Sequence, residues 1–327
     1  MKKVLFATTA LVASAGIASA EVKLTGYAEI GVVGGSGMET QFHSDMDVSF
    51  HLSGETDGGL TFGAKIDLDE VSGGIPTGAN NTFTNATVWV KGAFGSITLG
   101  DTDSALDWAL QDIGMGTSLT DDHTTHAGYS GNNEMDGIYG GQVLRYDNTF
   151  GDFGVALSAQ INDCPAVTAV CPAAVVVPGG DTVWALGLKY NTALGGVNLG
   201  LGLGYQDTGV NTQIGVSVDA KLDSGFRAIL NYKDLDGFTT KGSTMDNYYG
   251  IGLGYTSGPL LVTANYGVFS SSVANADASG YGLAVNYDLG GGAVVMAGYG
   301  KSNYDPANAN VASDGNDTWS LGLGLSF

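Results

Sequence analysis

Trp319-Ser-Leu-Gly-Leu-Gly-Leu-Ser-Phe327 ends the chain, and its large apolar side chains alternate strictly with glycine and serine. The stretch Leu199-Gly-Leu-Gly-Leu-Gly-Tyr205 repeats this alternation near the middle of the chain. Successive side chains of a β-strand point to opposite faces, so each stretch predicts a strand with one apolar face and one small or polar face. These stretches therefore predict an all-β fold.

Sixteen such stretches occur, and the connections between them alternate in length. Short turns rich in Gly, Asp and Asn, such as 54–59 and 191–196, alternate with longer polar connections, such as 101–140 and 233–246. Short turns at one rim, long loops at the other and an even strand number are typical of bacterial outer-membrane barrels. The predicted strands are centred near Ala28, Val48, Ala64, Val88, Thr98, Arg145, Ala156, Leu188, Leu201, Val216, Ala228, Ile251, Val262, Leu283, Val295 and Leu323.

Tyrosines lie near the ends of many apolar strand faces, which is the arrangement of an interfacial aromatic girdle. The predicted fold is a transmembrane antiparallel β-barrel of 16 strands, with short periplasmic turns and long outer loops. A barrel of this width leaves a water-filled lumen. The tyrosines concerned are Tyr190, Tyr205, Tyr232, Tyr255, Tyr266, Tyr287 and Tyr299.

Residues 1–20 have the composition of a cleavable secretory signal peptide. Two lysines precede an apolar run, and the small-x-small pattern Ala18-Ser-Ala20 precedes Glu21. The run is too short for a membrane helix, and no later segment approaches the roughly 20 apolar residues that such a helix needs. The predicted organisation is a signal peptide at 1–20 followed by one barrel at 21–327, located in the cell outer membrane.

The chain is strongly acidic, with 33 Asp and Glu residues, 12 Lys and Arg residues and a formal net charge of −21. This charge disfavours nucleic acid as a partner, because phosphate is repelled. The 53 glycines leave a second class open, a secreted Gly/Asp-rich Ca²⁺-binding β-repeat protein. Its tandem nonapeptide signature is approached once only, at Gly34-Gly-Ser-Gly-Met-Glu39, so the barrel is favoured.

The candidate sites for covalent, metal or catalytic chemistry are few. Cys164 and Cys171 are the only cysteines, and in an exported protein they predict a disulfide that closes a small loop. Asp305, Asp314 and Asp317 are candidate loop ligands for Ca²⁺, although they lack EF-hand spacing. No other cofactor or metal is expected. No Ser/His/Asp or Cys/His arrangement stands out, so no enzymatic activity is expected.

Several segments are similar to those of one known family: Glu21-Val-Lys-Leu-Thr-Gly26, Ser53-Gly-Glu-Thr-Asp-Gly-Gly-Leu60, Gly92-Ala-Phe-Gly-Ser-Ile-Thr-Leu-Gly-Asp101, Tyr287-Asp-Leu-Gly-Gly-Gly-Ala293 and the terminal Phe327. Together, and in this order, they make the mature chain resemble the general porins of α-proteobacteria, the Rhodobacter-type trimeric porins. The resemblance implies an outer-membrane channel for passive diffusion of ions and small hydrophilic solutes. It also implies a homotrimer.

The resemblance further implies that the third outer loop folds into the lumen and narrows it. The connection 101–140 is the longest in the chain and fits that role. Within it, Ser104–Gln111 is predicted to form a helical turn or two, with Asp103 as the candidate cap.

One departure from the family concerns charge. The resembling porins carry lumen-facing arginines on the second strand, where this chain has Asp45 and Asp47. A surplus of acids at a constriction favours cations, so the channel is expected to be cation-biased. The alternative left open is a substrate-specific or low-conductance outer-membrane barrel. The predicted pore-lining residues are Asp45, Asp47, His51, Lys65, Asp67, Asp103, Asp107, Asp112, Arg145 and Arg227.

Overall fold

The computed structural model describes residues 21–36, 38–69, 86–120, 126–136, 142–161 and 182–327. In these residues, sixteen antiparallel strands pair with their sequence neighbours, and β1 pairs with β16 to close the barrel. Every predicted strand centre lies inside one observed strand, so the predicted fold class is confirmed. The strands are β1 (Glu21–Gly35), β2 (Met38–Glu55), β3 (Thr61–Asp69), β4 (Ala86–Gly92), β5 (Gly95–Gly100), β6 (Val143–Phe150), β7 (Phe153–Gln160), β8 (Val183–Leu194), β9 (Val197–Asp207), β10 (Thr212–Leu222), β11 (Phe226–Thr240), β12 (Ser243–Ser257), β13 (Leu260–Ser271), β14 (Ala278–Gly290), β15 (Ala293–Tyr304) and β16 (Asp317–Ser326).

The two ends of the described chain meet at the barrel seam. Ile30 pairs with Leu323 in the β1–β16 ladder. The N–H of Phe327 donates to the carbonyl of Gly26 at 2.8 Å, and the N–H of Gly26 donates back at 3.2 Å. Closure removes the unpaired strand edges, whose backbone N–H and C=O groups would find no hydrogen-bond partner in lipid.

The hairpin between β8 and β9 shows why the short turns are rich in glycine. Gly195 and Gly196 have φ values of 55° and 89°. A two-residue hairpin turn with positive φ at both positions matches the twist of the flanking strands, and glycine adopts that conformation without strain.

The outer loop predicted at 233–246 is much shorter in the structure. The prediction is wrong because β11 and β12 continue and are joined by Lys241 and Gly242. The register shifts between Asp234 and Phe238, where Asp236 has φ 44°. This bulge accommodates polar residues inside a continuing ladder, so polarity alone misplaced the strand ends.

The outside of the barrel is apolar. Phe42 is 93% exposed, and alternate residues of nearly every strand expose Leu, Val, Ile or an aromatic ring. Aromatic pairs lie near both rims: Trp184 and Tyr205 have ring centroids 5.1 Å apart, and Phe226 and Tyr255 have centroids 4.6 Å apart. This is the lipid-facing surface expected of a membrane barrel. No helix in the described ranges is long and apolar enough to cross a membrane.

Candidate functional site

The connection after β5 lies inside the barrel. It begins with a short helix, α1 (Ala105–Ala109), whose Ala105, Leu106 and Ala109 are buried. The cap is Ser104, whose side chain accepts a hydrogen bond from the N–H of Asp107 at 3.3 Å. The predicted cap, Asp103, is therefore wrong by one residue: the helix starts one position later, and Asp103 remains 62% exposed.

The first leg of this loop, residues 101–120, runs along the inner wall from β7 to β1. Lumen-facing side chains of successive strands bind its backbone. The N–H of Ala105 donates to Ser158 at 2.8 Å, and that of Gln111 donates to Ser217 at 2.9 Å. The contacts continue at Thr117, where Asn286 exchanges two hydrogen bonds of 3.1 and 2.7 Å with the backbone, and at Thr120, whose N–H donates to Glu29 at 2.8 Å.

The second leg, residues 126–136, returns along the same wall. The N–H of Ala127 donates to Ser302 at 3.0 Å, and His126 bonds Asn265 at 2.7 Å. At the far end, Gln206 donates to Asp136 at 2.8 Å. All these anchoring contacts lie on β7 to β15 and β1. The lumen faces of β2 to β5 lie across the barrel from this doubled loop.

Glycines on the lumen face allow this close approach. A Cβ at Gly202 would overlap the carbonyl oxygen of Ala109, and one at Gly204 would lie 2.7 Å from Leu106. The glycines that alternate along the lumen faces of these strands therefore form the surface on which the loop lies. We call these residues the glycine bed: Gly31, Gly187, Gly202, Gly204, Gly215, Gly252, Gly254, Gly267, Gly280 and Gly322.

Four loop carboxylates lie close enough for their charges to interact: Asp103, Asp107, Asp112 and Asp136. Burial, followed by the charges of Asp103, Asp136 and Asp112, raises the pKa of Asp107 to about 9. Burial also raises the pKa of Asp112 to about 6, although Lys233 opposes this rise. The pKa of Asp136 is raised by burial as well. Negative charge on this loop is therefore strongly pH-dependent.

The predicted pore-lining residues lie in three places. Asp45, Asp47 and His51 alternate on the lumen face of β2, and His51 contacts Thr25 at 3.1 Å. On β3, Lys65 pairs with Asp67 at 2.8 Å. These five residues lie across from the inward loop, which carries Asp103, Asp107 and Asp112.

The two predicted arginines have different surroundings. Arg145 on β6 donates to the carbonyl of Asp103 at 2.7 Å and to Asp147 at 3.2 Å, so it joins the wall to the start of the loop. Arg227 lies near the short-turn rim and forms a bidentate pair with Asp219 at 2.8 and 2.9 Å. Arg227 is thus separate from the loop carboxylates.

Comparison with known proteins agrees with this architecture. The profile of the Gram-negative porin family matches residues 7–326. The chain is 30% identical to a porin of Rhodobacter capsulatus over 90% of this chain and 98% of that protein. The chain belongs to the Gram-negative porin family. It forms an outer-membrane porin channel.

Solved porin structures have the same fold. One is 26% identical, with a TM-score of 0.70 over 94% of this chain and 100% of that chain. A triple mutant of Rhodopseudomonas blastica porin is 17% identical, with a TM-score of 0.66 and the same coverage, and this likeness concerns the fold alone. These relatives are porins, which are channels rather than enzymes.

Lys233 is a residue of this porin that neither charge nor alternation singles out. It shares the lumen face of β11, but its side chain is fully buried beneath the loop, where it binds Glu134. The identical lumen-facing register of Arg227 and Lys233 gives no sign of this difference. The glycine bed is the sequence feature that could have revealed this burial, because it marks where the loop approaches the wall.

Two of the three candidate Ca²⁺ ligands accept hydrogen bonds through their carboxylates. Asp314 accepts from the N–H of Tyr304 at 2.9 Å, and Asp317 accepts from the N–H of Ser36 at 2.9 Å and from Tyr299 at 3.2 Å. Within the described ranges, no three His, Cys, Asp or Glu residues are grouped to hold a metal ion. Cys164 and Cys171 lie outside the described residues.

Proposed function

We propose that this porin is a cation-preferring channel whose passage runs between the inward loop and the lumen faces of β2 to β6. The observation that carries the proposal is the path of the loop: Arg145 on β6 holds its start, and the anchors that follow lie on β7 to β15 and β1. The passage is then flanked by loop carboxylates on one side and by Asp45 and Asp47 on the other. Lys65 and Arg145 each have an acidic partner, which partly cancels the positive charge that a passing ion meets.

The expected size of the preference follows from electrostatics. One carboxylate about 5 Å from a passing ion contributes roughly 0.8 kcal/mol in bulk-like water. Screening at physiological salt acts over about 8 Å, so only the nearest few charges contribute. Since about 1.4 kcal/mol corresponds to tenfold, an excess of one or two ionised acids gives several-fold to tenfold preference for cations.

The test is a reversal-potential measurement on single channels in a planar bilayer, under a KCl gradient at pH 7.5. We expect large, stable conductance steps and a reversal potential displaced toward the K⁺ equilibrium value. A displacement toward Cl⁻ would refute the cation preference while leaving the porin assignment intact. Absence of steps from folded protein would instead favour the low-conductance barrel.

We propose that the functional unit is a homotrimer whose contact is made by β1 to β5. The described outward positions of these strands are aliphatic residues, phenylalanine or small residues, and carry no Tyr or Trp. The outward faces of β6 to β15 carry an aromatic girdle suited to the lipid interface. Its tyrosines are Tyr146, Tyr190, Tyr205, Tyr232, Tyr249, Tyr255, Tyr266, Tyr281, Tyr287 and Tyr299.

Val88→Arg is expected to convert the trimer into monomers in mild detergent, because it places an unpaired charge inside the proposed contact. Val88 is 59% exposed on the single barrel and points outward from β4. Leu253→Arg, at a 52% exposed position on the outward face of β12, is the matched control and should remain trimeric. Native mass measurement distinguishes the two, and equal masses for both variants would contradict this contact.

We propose that residues 1–20 are removed on export, that Cys164 and Cys171 form a disulfide, and that the barrel works without a resident cofactor or enzymatic activity. The small-x-small pattern Ala18-Ser-Ala20 ahead of Glu21 supports the cleavage site. The short separation of Cys164 and Cys171 in sequence means that their disulfide would close only a small loop. The intact mass of the same preparation, with and without reduction and thiol alkylation, reports both covalent features.

A further inference from the structure

A buried ion pair attaches the inward loop to the barrel wall at Lys233 on β11. Its Nζ donates to the two carboxylate oxygens of Glu134 at 2.6 and 2.5 Å and also bonds the hydroxyl of Ser130. The ammonium lies 5.1 Å from the ring centroid of Tyr248. Lys233 is 0% exposed and Glu134 is 6% exposed, although both belong to a water-filled barrel. The pair is therefore enclosed between loop and wall.

Lys233 lowers the pKa of Glu134. Its burial alone would raise its pKa, but the charge of Lys233 and the hydrogen bonds from Lys233 and Ser130 outweigh burial and hold the pKa below its ordinary value. Glu134 is consequently an ionised group whose charge is matched only while the loop is in place. The Lys233 charge is likewise hidden from passing solutes.

Asn231, two residues earlier on the same face of β11, ties the two legs together. Its Nδ2 donates to the carbonyl of Gln111 on the first leg at 2.9 Å and to the Oδ1 of Asn132 on the second leg at 2.8 Å. Asn132 in turn donates to Asp112, which links the legs directly. Both legs are thus held at one point on the wall.

We infer that Asn231, Lys233 and Glu134 form a loop clamp that sets the width of the passage. Lys233 and Glu134 are positioning residues: they touch no permeating ion but hold the loop that bounds its path. While the loop is docked on β11, each of these two buried charges is matched only by the other, so the docked position depends on both partners. The clamp therefore selects one loop position and gives a steady open channel. This inference rests on the channel activity and is independent of its cation preference.

Lys233→Met tests the clamp in single-channel recordings. Losing one partner of a buried ion pair should shift the ratio of docked to displaced loop by about a hundredfold or more. We expect a clear rise in open-channel noise, frequent sub-conductance transitions and closure at lower voltage. Lys221→Met is the matched control, since it removes the same charge from the lumen face of β10 at an exposed position. Its current should remain as steady as that of the unaltered protein.

The charge-exchanged double variant Lys233→Glu with Glu134→Lys provides the rescue. It retains an opposite-charge pair at the same place, so its noise should return toward that of the unaltered protein. If Lys233→Met does not fold, Glu134→Gln, which leaves the buried Lys233 charge without its partner, is measured against the same criterion. A quiet, unchanged current from whichever of these single variants folds would overturn the clamp. Loss of channel steps in the unaltered protein would overturn the channel itself.

Discussion

Gly202→Ala is expected to lower the main single-channel conductance and to introduce sub-conductance levels. The added methyl group would overlap the carbonyl oxygen of Ala109, which belongs to the inward loop. Overpacking of this kind costs about 1–3 kcal/mol, which changes the ratio of docked to displaced loop roughly 5- to 150-fold. A displaced loop moves away from β9 and into the passage, so the conductance should fall. Single-channel current histograms measure both effects.

Gly200→Ala supplies the control two residues earlier on the same lumen face of β9. A Cβ there would meet nothing nearer than the Oδ1 of Asn191 at 3.1 Å, the end of a side chain that can move. Its conductance should match that of the unaltered porin. Unchanged conductance in both variants would show that the loop does not need the glycine bed. A similar loss in both would indicate that strand propensity, rather than loop contact, is responsible.

The barrel itself was predictable because its signals are local. Strand alternation and the turn residues are properties of neighbouring positions, and they located all sixteen strands, from β1 with Ala28 to β16 with Leu323. The error at 233–246 has a similarly local origin. Polar residues at the outer end of a strand look the same whether the ladder continues above the membrane or stops.

The path of the inward loop was not predictable from such signals. Its position depends on contacts far apart in sequence, such as Thr120 with Glu29 and Gln111 with Asn231. Period two places Arg227 and Lys233 on the same face, but only the loop decides that one is partly exposed and the other is sealed beneath Glu134. Lumen-facing residues can be named from alternation, whereas their charge state and access to solutes depend on the loop.

The protonation of the loop carboxylates distinguishes two aspartates that formal charge would treat alike. A pKa of about 9 keeps Asp107 protonated and neutral at pH 7.5, whereas a pKa of about 6 leaves Asp112 mostly ionised. Asp107→Asn should therefore leave the cation preference at pH 7.5 nearly unchanged. Asp112→Asn should reduce it by up to about fourfold, the effect of one carboxylate near 5 Å.

The pH profile of the reversal potential separates the two carboxylates further. Acidification from pH 7.5 to 5 protonates Asp112, so the cation preference of the unaltered channel should fall over this range, and the fall should be smaller in Asp112→Asn. Raising the pH from 8 to 10 ionises Asp107, so the preference should increase, and Asp107→Asn should lack that increase. A large loss of preference in Asp107→Asn already at pH 7.5 would mean that Asp107 is ionised there. The charge of Lys233 and hydration by water in the lumen would then outweigh its burial and the charges of Asp103, Asp112 and Asp136, because both favour the ionised carboxylate.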